Sequence, residues 1–546
     1  MDRIRHKRNY DLHSWLGVTV GLILYIVCFT GAFALFDNEI KTWENPAKRI
    51  PITDISVPMT ETYAQWVEET AGGDEVTFRR FDFPTTYHPY FRGGMTVQRP
   101  VLDSNGDVII SDDGTPRTQG KFIDAFWDPQ TGDEIAYRGD GLSTWILDFH
   151  RDFMWPDGLG GRTVGRSLVG VVGIVLLLAI LSGVIAHTKI REEAYTMRLK
   201  RSTRLKWQDA HKVVGLWGLP FSTMIAFTGA WLGVIVILSQ LVAALAFKGD
   251  TEALIEAVLG EESKPTGVQA QMLTLEELYD MRHPDTGKQP YLVLMSNYGD
   301  EAAEFELLYE SNARLTMFDE LHISGVTGEP VHGHDENAAI RVATALSPLH
   351  YGTYGGIWLK FLYFVLGLSV AVITALGSMM WIERRKYGNE GNKSPRYYDS
   401  LGHINTGVIM GLPVATLAIF YLDKLYIGSE SARLVTTGWT YFVVWALGFV
   451  YAFARRNDYA TTREVTMLSG LLAIGIPMLN GAATNQWFFS YLNADHTVSA
   501  WVDVTMLLGG LLTVACGYFL PAERKAKQKA KHNTETDQDA AAVPAE

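Results

Sequence analysis

His13 and His211 stand at matching places in two apolar segments of this chain. The first segment reads Asp11-Leu12-His13-Ser14-Trp15-Leu16-Gly17 and then, seventeen residues past the histidine, Thr30-Gly31-Ala32. The second reads Asp209-Ala210-His211-Lys212-Val213-Val214-Gly215 and, again seventeen on, Thr228-Gly229-Ala230. An imidazole at a membrane helix end is costly without a partner. Finding it twice in one register points to a duplicated membrane unit that uses the ring. His403-Ile404-Asn405-Thr406-Gly407 repeats the His-x-x-x-Gly spacing. A glycine one helical turn along leaves room for a flat, bulky group or a close neighbouring helix. His187 ends another apolar tract, and His150 and His350 stand just before two further ones. The histidines thus fall into two layers, His13, His187, His211 and His403 at one face and His150 and His350 at the other. Six-coordinate b-type haem needs two imidazoles on opposite sides of one iron. A pseudo-two-fold axis between the repeats pairs His13 with His211 and His150 with His350, so two b haems are expected. His187 and His403 remain to replace a member of the first pair, to hold a third haem or to bond a haem propionate. The repeat counterpart of His187 is Trp381.

The elements that carry these residues are set by hydropathy. The chain has 546 residues, 47% of them hydrophobic, and its average hides apolar tracts of about 20 residues between polar stretches of about 100. Eight spans are read at roughly 14–36, 167–187, 211–247, 357–382, 404–422, 437–454, 466–484 and 500–520. Basic clusters flank alternate connections: Arg3 to Arg8, Lys189 to Lys206, Arg384 to Lys386, Arg455 to Arg463, and Arg524 to Lys529. The positive-inside rule then makes both termini cytoplasmic. Ala32-Phe33-Ala34 resembles a signal-peptide cleavage site. The tract before it is long for a signal peptide, and its repeat partner lies mid-chain.

The expected fold is an α-helical polytopic membrane protein of about eight spans with two α+β domains outside. The N-terminus and first span take 1–37, the first outer domain 38–166, and spans two and three with their basic loop 167–247. The second outer domain takes 248–356, span four 357–386, a four-span appendix 387–522 and a disordered tail 523–546. The outer segments share a pattern. Phe126-Trp127-Asp128-Pro129-Gln130-Thr131-Gly132-Asp133 and His322-Ile323-Ser324-Gly325-Val326-Thr327-Gly328-Glu329 each read as strand, Thr-Gly turn and second strand. Both segments are acidic: 38–166 has 21 Asp+Glu against 13 Lys+Arg, and 248–356 has 19 against 6. That gives a solvated surface, or a face that attracts cationic or metal-bearing ligands.

Other residues carry weaker signals. Cys28 and Cys516 both lie in apolar tracts, which excludes a disulfide framework, a CxxC zinc site and an iron–sulfur cluster. No nucleic-acid signature is present, and the net charge is −13. His332-Gly333-His334-Asp335 with His322 reads as a small metal site or a polar turn. Trp127, Tyr137, Trp145 and Trp155 line a ligand cleft or pack a core. Asp503 is a proton-relay carboxylate or an interfacial side chain, and Pro477 marks a kink.

Four stretches resemble the PepSY-associated transmembrane family. They are Leu12-His13-Ser14-Trp15-Leu16-Gly17; Ser182-Gly183-Val184-Ile185-Ala186-His187; Asp209-Ala210-His211 through Leu219-Pro220-Phe221 to Thr228-Gly229; and Ala454-Arg455-Arg456-Asn457-Asp458-Tyr459 on to Glu464. The outer domains look like PepSY modules. The resemblance implies an iron-regulated protein of the bacterial inner membrane. Some members are ferric-siderophore reductases with two b haems on membrane histidines, so His13, His211, His150 and His350 carry over as ligand candidates, followed by His187. The four-span appendix departs from the shorter reductases. The expected function is electron transfer across the lipid to a ferric siderophore or other ferric chelate, an oxidoreductase activity. With no GxGxxG fingerprint and no flavin domain, the donor is external: a membrane quinol or a reductase protein. The alternative is a haem-free PepSY binding or sensory module beside a siderophore transporter. A secondary transporter ranks last, because the repeats look parallel and few charges lie mid-membrane.

Overall fold

Two copies of one unit, followed by a helical appendix, make up the computed structural model of the chain. It describes residues 3–523 except 52–53, 86–87, 104–105, 112–113, 188, 199–202, 260–262, 311–314, 316–318, 332–337, 388–392 and 492–496. The first unit begins with α1 (Arg3–Thr19) and α2 (Gly21–Ala34), then α3 (Asp37–Glu44) and α4 (Met59–Ala71). Strands β1 (Val76–Asp82), β2 (Phe91–Pro100) and β3 (Thr118–Trp127) follow, then α5 (Leu142–Asp152) and α6 (Gly161–Ala186). A short α7 (Ile190–Glu193) leads to the second unit. It runs α8 (Thr203–Trp217), α9 (Leu219–Ala246), α10 (Thr251–Leu259), α11 (Leu275–Asp280), β4 (Pro290–Ser296), β5 (Glu304–Tyr309), β6 (Asp319–Ser324), α12 (Ala338–Tyr351) and α13 (Gly356–Tyr387). The appendix is α14 (Pro395–Leu425), α15 (Glu430–Arg455), α16 (Asp458–Thr484), the short α17 (Phe488–Tyr491) and α18 (Thr497–Phe519).

Among the described residues, seven helices are long and apolar enough to cross a membrane: α6, α9, α13, α14, α15, α16 and α18. The stretches His6–Thr19 and Gly21–Ala34 qualify together as an eighth, although they bend by 64° at the break between them. The expected first span is therefore two helices, with His13 before the bend. In the second unit the break falls at Gly218 beside Pro220, a residue that can donate no helix hydrogen bond. The tail beyond residue 523 lies outside the described residues.

The units meet through small residues. A Cβ on Gly233 of α9 would lie 2.4 Å from Gly170 Cα of α6, and one on Gly173 2.8 Å from Ala230 N. Such close backbone approach is how membrane helices gain van der Waals contact without a hydrophobic drive. Helix α2 packs on α13 across the repeat boundary, where Phe33 stands edge-on to Phe364 at 5.8 Å.

The two polar segments differ from the expected pair of separate domains. Their strands form one six-stranded antiparallel sheet in the order β3-β2-β1-β4-β5-β6. Each unit supplies a helix and a three-stranded meander, and the meanders join where β1 pairs with β4, Phe81 opposite Val293. Together they bury Phe81, Phe91, Met95, Val293, Phe305 and Leu307 under α4 and α11. The two Thr-Gly turns are superposable in their bonding. Gly132 N–H donates to Asp128 O and Gly328 N–H to Ser324 O, both at 2.9 Å. Both glycines have φ near +75°, which favours glycine.

Candidate functional site

Each unit builds its histidines in pairs of levels, and the units then face each other. His13 on α1 leans on α6, where its Nδ1 lies 2.9 Å from Ala179 O. His211 on α8 leans on α13, with Nδ1 2.9 Å from Ile373 O. His150 on α5 reaches α2, with Nδ1 3.0 Å from Val27 O. His350 on α12 reaches α9, with Nδ1 2.9 Å from Thr228 Oγ1. A carbonyl oxygen only accepts, so the first three rings carry their proton on Nδ1. Thr228 spends its own hydroxyl proton on Met224 O, at 2.9 Å, so it too accepts from the ring.

One glycine per ring makes these approaches possible. Four residues beyond each accepting carbonyl on α2, α6 and α13 stands Gly31, Gly183 or Gly377, and Gly229 follows Thr228 directly. A Cβ there would fall 2.6 Å from His150 Cε1, 3.0 Å from His13 Cε1, 3.5 Å from His211 Cε1 and 3.0 Å from His350 Cε1. The Thr-Gly-Ala motif that marked the repeat thus serves the histidines of the sheet side. The sequence displayed that motif, but nothing in it told which side chain the glycine admits.

The rings then meet across the repeat axis. His13 and His211 have centroids 6.1 Å apart at an interplanar angle of 72°. His150 and His350 have centroids 6.5 Å apart at 17°. These are the pairs that repeat symmetry predicts. A metal–imidazole bond of about 2 Å, with each nitrogen roughly 1 Å from its ring centre, separates two rings on one ion by about 6 Å. Nδ1–H bonding to the protein leaves Nε2 as the lone-pair nitrogen of every ring, the usual second-shell arrangement of a metal-bound histidine. Gly17 and Gly215, one turn beyond His13 and His211, have nothing within 4 Å of where a Cβ would be. The helix face one turn beyond each of these rings is open. The donor set, tautomers and spacing therefore fit bis-imidazole haem. A Cβ on Gly367 of α13 would lie 3.6 Å from Ala32 Cβ, beside Gly31, and one on Gly377 would lie 3.5 Å from His211 Cε1. Ten residues of helix separate the two levels, about 15 Å at 1.5 Å per residue.

The other candidates lie elsewhere. His187 is the C-cap of α6, and its Nε2 is 3.3 Å from Glu193 Oε2, an ion-pair distance without hydrogen-bond geometry. Glu193 also binds Lys212, the residue after His211. His403 Nδ1–H donates to Asp458 Oδ1, at 2.7 Å, and the ring stands edge-on to Phe453. Its one-turn glycine is filled: a Cβ on Gly407 would meet Phe449 at 2.7 Å. Among the described residues, neither His187 nor His403 is brought to a second imidazole. His332, His334 and Asp335 lie outside the described residues, whereas His322 sits on β6. Trp127, Tyr137 and Trp145 pack into three different cores, and Trp155 donates its Nε1–H to Leu159 O at 3.0 Å. Asp503 is 1% exposed, and its two oxygens accept from Trp43 Nε1 and Asn480 Nδ2, each at 2.8 Å. It is a buried tie between α3, α16 and α18 rather than an interfacial group.

Sequence reasoning missed what holds α5. Glu44, fully buried at the end of α3, accepts from Leu142 N–H at 2.8 Å and from the Ser143 amide and hydroxyl. It caps the helix that carries His150, where a carboxylate is favoured by the free amides and the dipole. Arg433 of α15 lies 3.5 Å from Glu44, contacts Asp423, and donates to the carbonyls of Arg138 and Gly139 at 2.9 and 2.7 Å. The appendix thus reaches back to brace the sheet-side pair. An unlinked glutamate and arginine, 389 positions apart, gave no signal.

The family model for the PepSY-associated TM region matches residues 10–384. An uncharacterized protein of Pseudomonas aeruginosa is 25% identical over 365 residues, covering 64% of this chain and 89% of its own length. The family match embraces both units and stops short of α14. With more than half its length inside the match, the chain belongs to the PepSY-associated TM family.

Proposed function

We propose that the chain carries electrons across the bacterial inner membrane through two b-type haems and reduces ferric chelates, siderophores foremost, at the sheet side. In this reading both termini and the basic loops are cytoplasmic and the sheet is periplasmic. His13 and His211 hold one haem; His150 and His350 hold the other. Haem bound between imidazoles supplies a one-electron couple whose potential follows its axial ligands and surroundings. The backbone and threonine acceptors fix each ring in the tautomer that offers Nε2, and they raise its basicity. Two levels about 15 Å apart divide a hydrocarbon thickness of about 30 Å into shorter steps. A chelate takes up one electron as its Fe(III) becomes Fe(II), which loosens the metal without a covalent bond breaking. No proton-shuttling residue is needed. The donor is a membrane quinol or a reductase protein.

The observation that carries this reading is the meeting of the two histidine pairs at 6.1 and 6.5 Å, each ring turned by its own Nδ1 bond. A pyridine haemochrome assay on the purified protein tests it. About two haems per chain are expected, with one lost in His211→Ala and one in His350→Ala. A colourless wild-type preparation would sink the proposal and leave the haem-free binding module.

A further inference from the structure

Duplication supplies an internal comparison for the outer sheet. The turns align Phe126 with His322, and the strand registers then align Arg92, opposite Phe126, with Glu306, opposite His322. By the same registers Asp124 corresponds to Glu320, and Tyr90 to Glu304. All four positions of each unit lie on the face turned away from the α4–α11 core, since Phe305, Leu307 and Ile323 alternate into that core.

In the first unit this face carries its own cations. Arg92 bonds Asp124 at 2.8 Å and approaches Asp82 at 3.7 Å. Lys48, 4% exposed, stands 3.6 Å over the Phe126 ring and 3.9 Å over Tyr137. In the second unit the guanidinium is replaced by a carboxylate and the aromatic ring by an imidazole. Carboxylates at neighbouring cross-strand positions repel one another. Burial, then the facing Glu320 carboxyl, pushes Glu306 up to about 7.

We infer that Glu306, Glu320 and His322 form a binding site for a divalent first-row transition cation, which takes the part played by built-in cations in the first unit. One ligand atom from each lies within 4.8 Å of the others, close enough for one ion to draw them in. Glu304 Oε1 is 2.9 Å from His322 Nδ1, which turns Nε2 toward Glu320 at 3.8 Å. A carboxylate behind a histidine that faces further ligands is the usual outer-shell support of a metal-bound imidazole. Two carboxylates and one imidazole, with no thiolate, suit Zn2+, Mn2+ or Fe2+ rather than Cu+. Glu304 is a positioning residue. The site stands independently of the haem reading.

Equilibrium dialysis of the full-length protein in detergent, stripped with chelator and titrated with Zn2+ or Mn2+ alone, tests the assignment. Wild type should hold one more equivalent of Zn2+ than the Glu306→Gln/His322→Phe double variant. Glu304→Gln should bind about 10- to 100-fold more weakly, the usual effect of removing an outer-shell partner. Metal-free double variant should melt no lower than wild type, because like charges have been removed, and only wild type should gain melting temperature with Zn2+. Equal Zn2+ stoichiometry and affinity in wild type and the double variant, or in wild type and Glu320→Gln should the double variant not fold, would overturn it.

Discussion

At the scale of single residues, the haem proposal is tested most sharply by a glycine that touches nothing. Gly17 has no neighbour within 4 Å of its would-be Cβ, whereas Gly31 is already filled by His150. Leucine at 17 should therefore leave the apo fold intact but block a macrocycle on His13 and His211. Haem content should fall from about two per chain to about one, with the melting temperature of apo-protein unchanged. Full haem in Gly17→Leu would show that the open face is only lipid-facing surface. A second residue makes a prediction about acid. Burial, reinforced by the Lys48 ammonium, pushes His88 down to about 4. The folded form then stays neutral while the unfolded chain protonates at its ordinary value near 6.5. A base depressed in the fold costs stability as pH falls between those values: full stability holds above about 6.5, and the loss is complete below about 4. The difference is worth at most about 3 kcal/mol. His88→Gln should flatten that limb in thermal melts of the sheet between pH 7 and 4, and an unchanged slope would assign the acid sensitivity to other groups.

At the scale of elements, the appendix is a brace for α5. Glu44 caps the helix, Arg433 answers Glu44 and Asp423, and Trp145 and Phe149 pack on Tyr441 of α15 at 5.5 and 5.3 Å. Arg433→Met leaves Asp423 to Lys424, 3.1 Å away, but strips Glu44 of its cation, a change worth about 3–5 kcal/mol. On the haem proposal, the expected result is preferential loss of the haem assigned to His150 and His350, seen as one of two b-type potentials vanishing in a redox titration. Equal loss of both potentials would mean that the brace supports the whole bundle. The same contrast explains what the sequence could disclose. Spans, the repeat and the histidine levels are periodic or local signals, and repeat symmetry alone paired His13 with His211 and His150 with His350. The bend between α1 and α2 was missed because the hydropathy runs on through it. The joined sheet was missed because β1 and β4 are about 200 residues apart and pair by backbone, which composition does not encode. At His403 the one-turn glycine serves the second of its two uses: Gly407 makes a close helix contact with Phe449.

At the scale of the whole molecule, charge is divided between the faces. The two polar segments that build the sheet and its surroundings have net charges of −8 and −13, from 21 acidic against 13 basic and 19 against 6 residues, while the chain as a whole is −13. The remainder is positive, as the basic loops require. A field of this sign over the sheet raises the encounter rate of cations and repels anions, and it acts over a Debye length that shrinks from about 30 Å at 0.01 M salt to about 8 Å at 0.15 M. If a ferric chelate is reduced on that side, its charge should therefore set the salt dependence. A cationic ferric chelate should lose rate steeply across that range of ionic strength, a neutral one should hardly change, and an anionic one should gain. The measurement is stopped-flow oxidation of the dithionite-reduced protein by chelates matched in potential but differing in charge. A common slope for all three would place the chelate outside the reach of the acidic face, either in a neutral cleft or on the basic side, and would thereby reverse the direction of electron flow argued above.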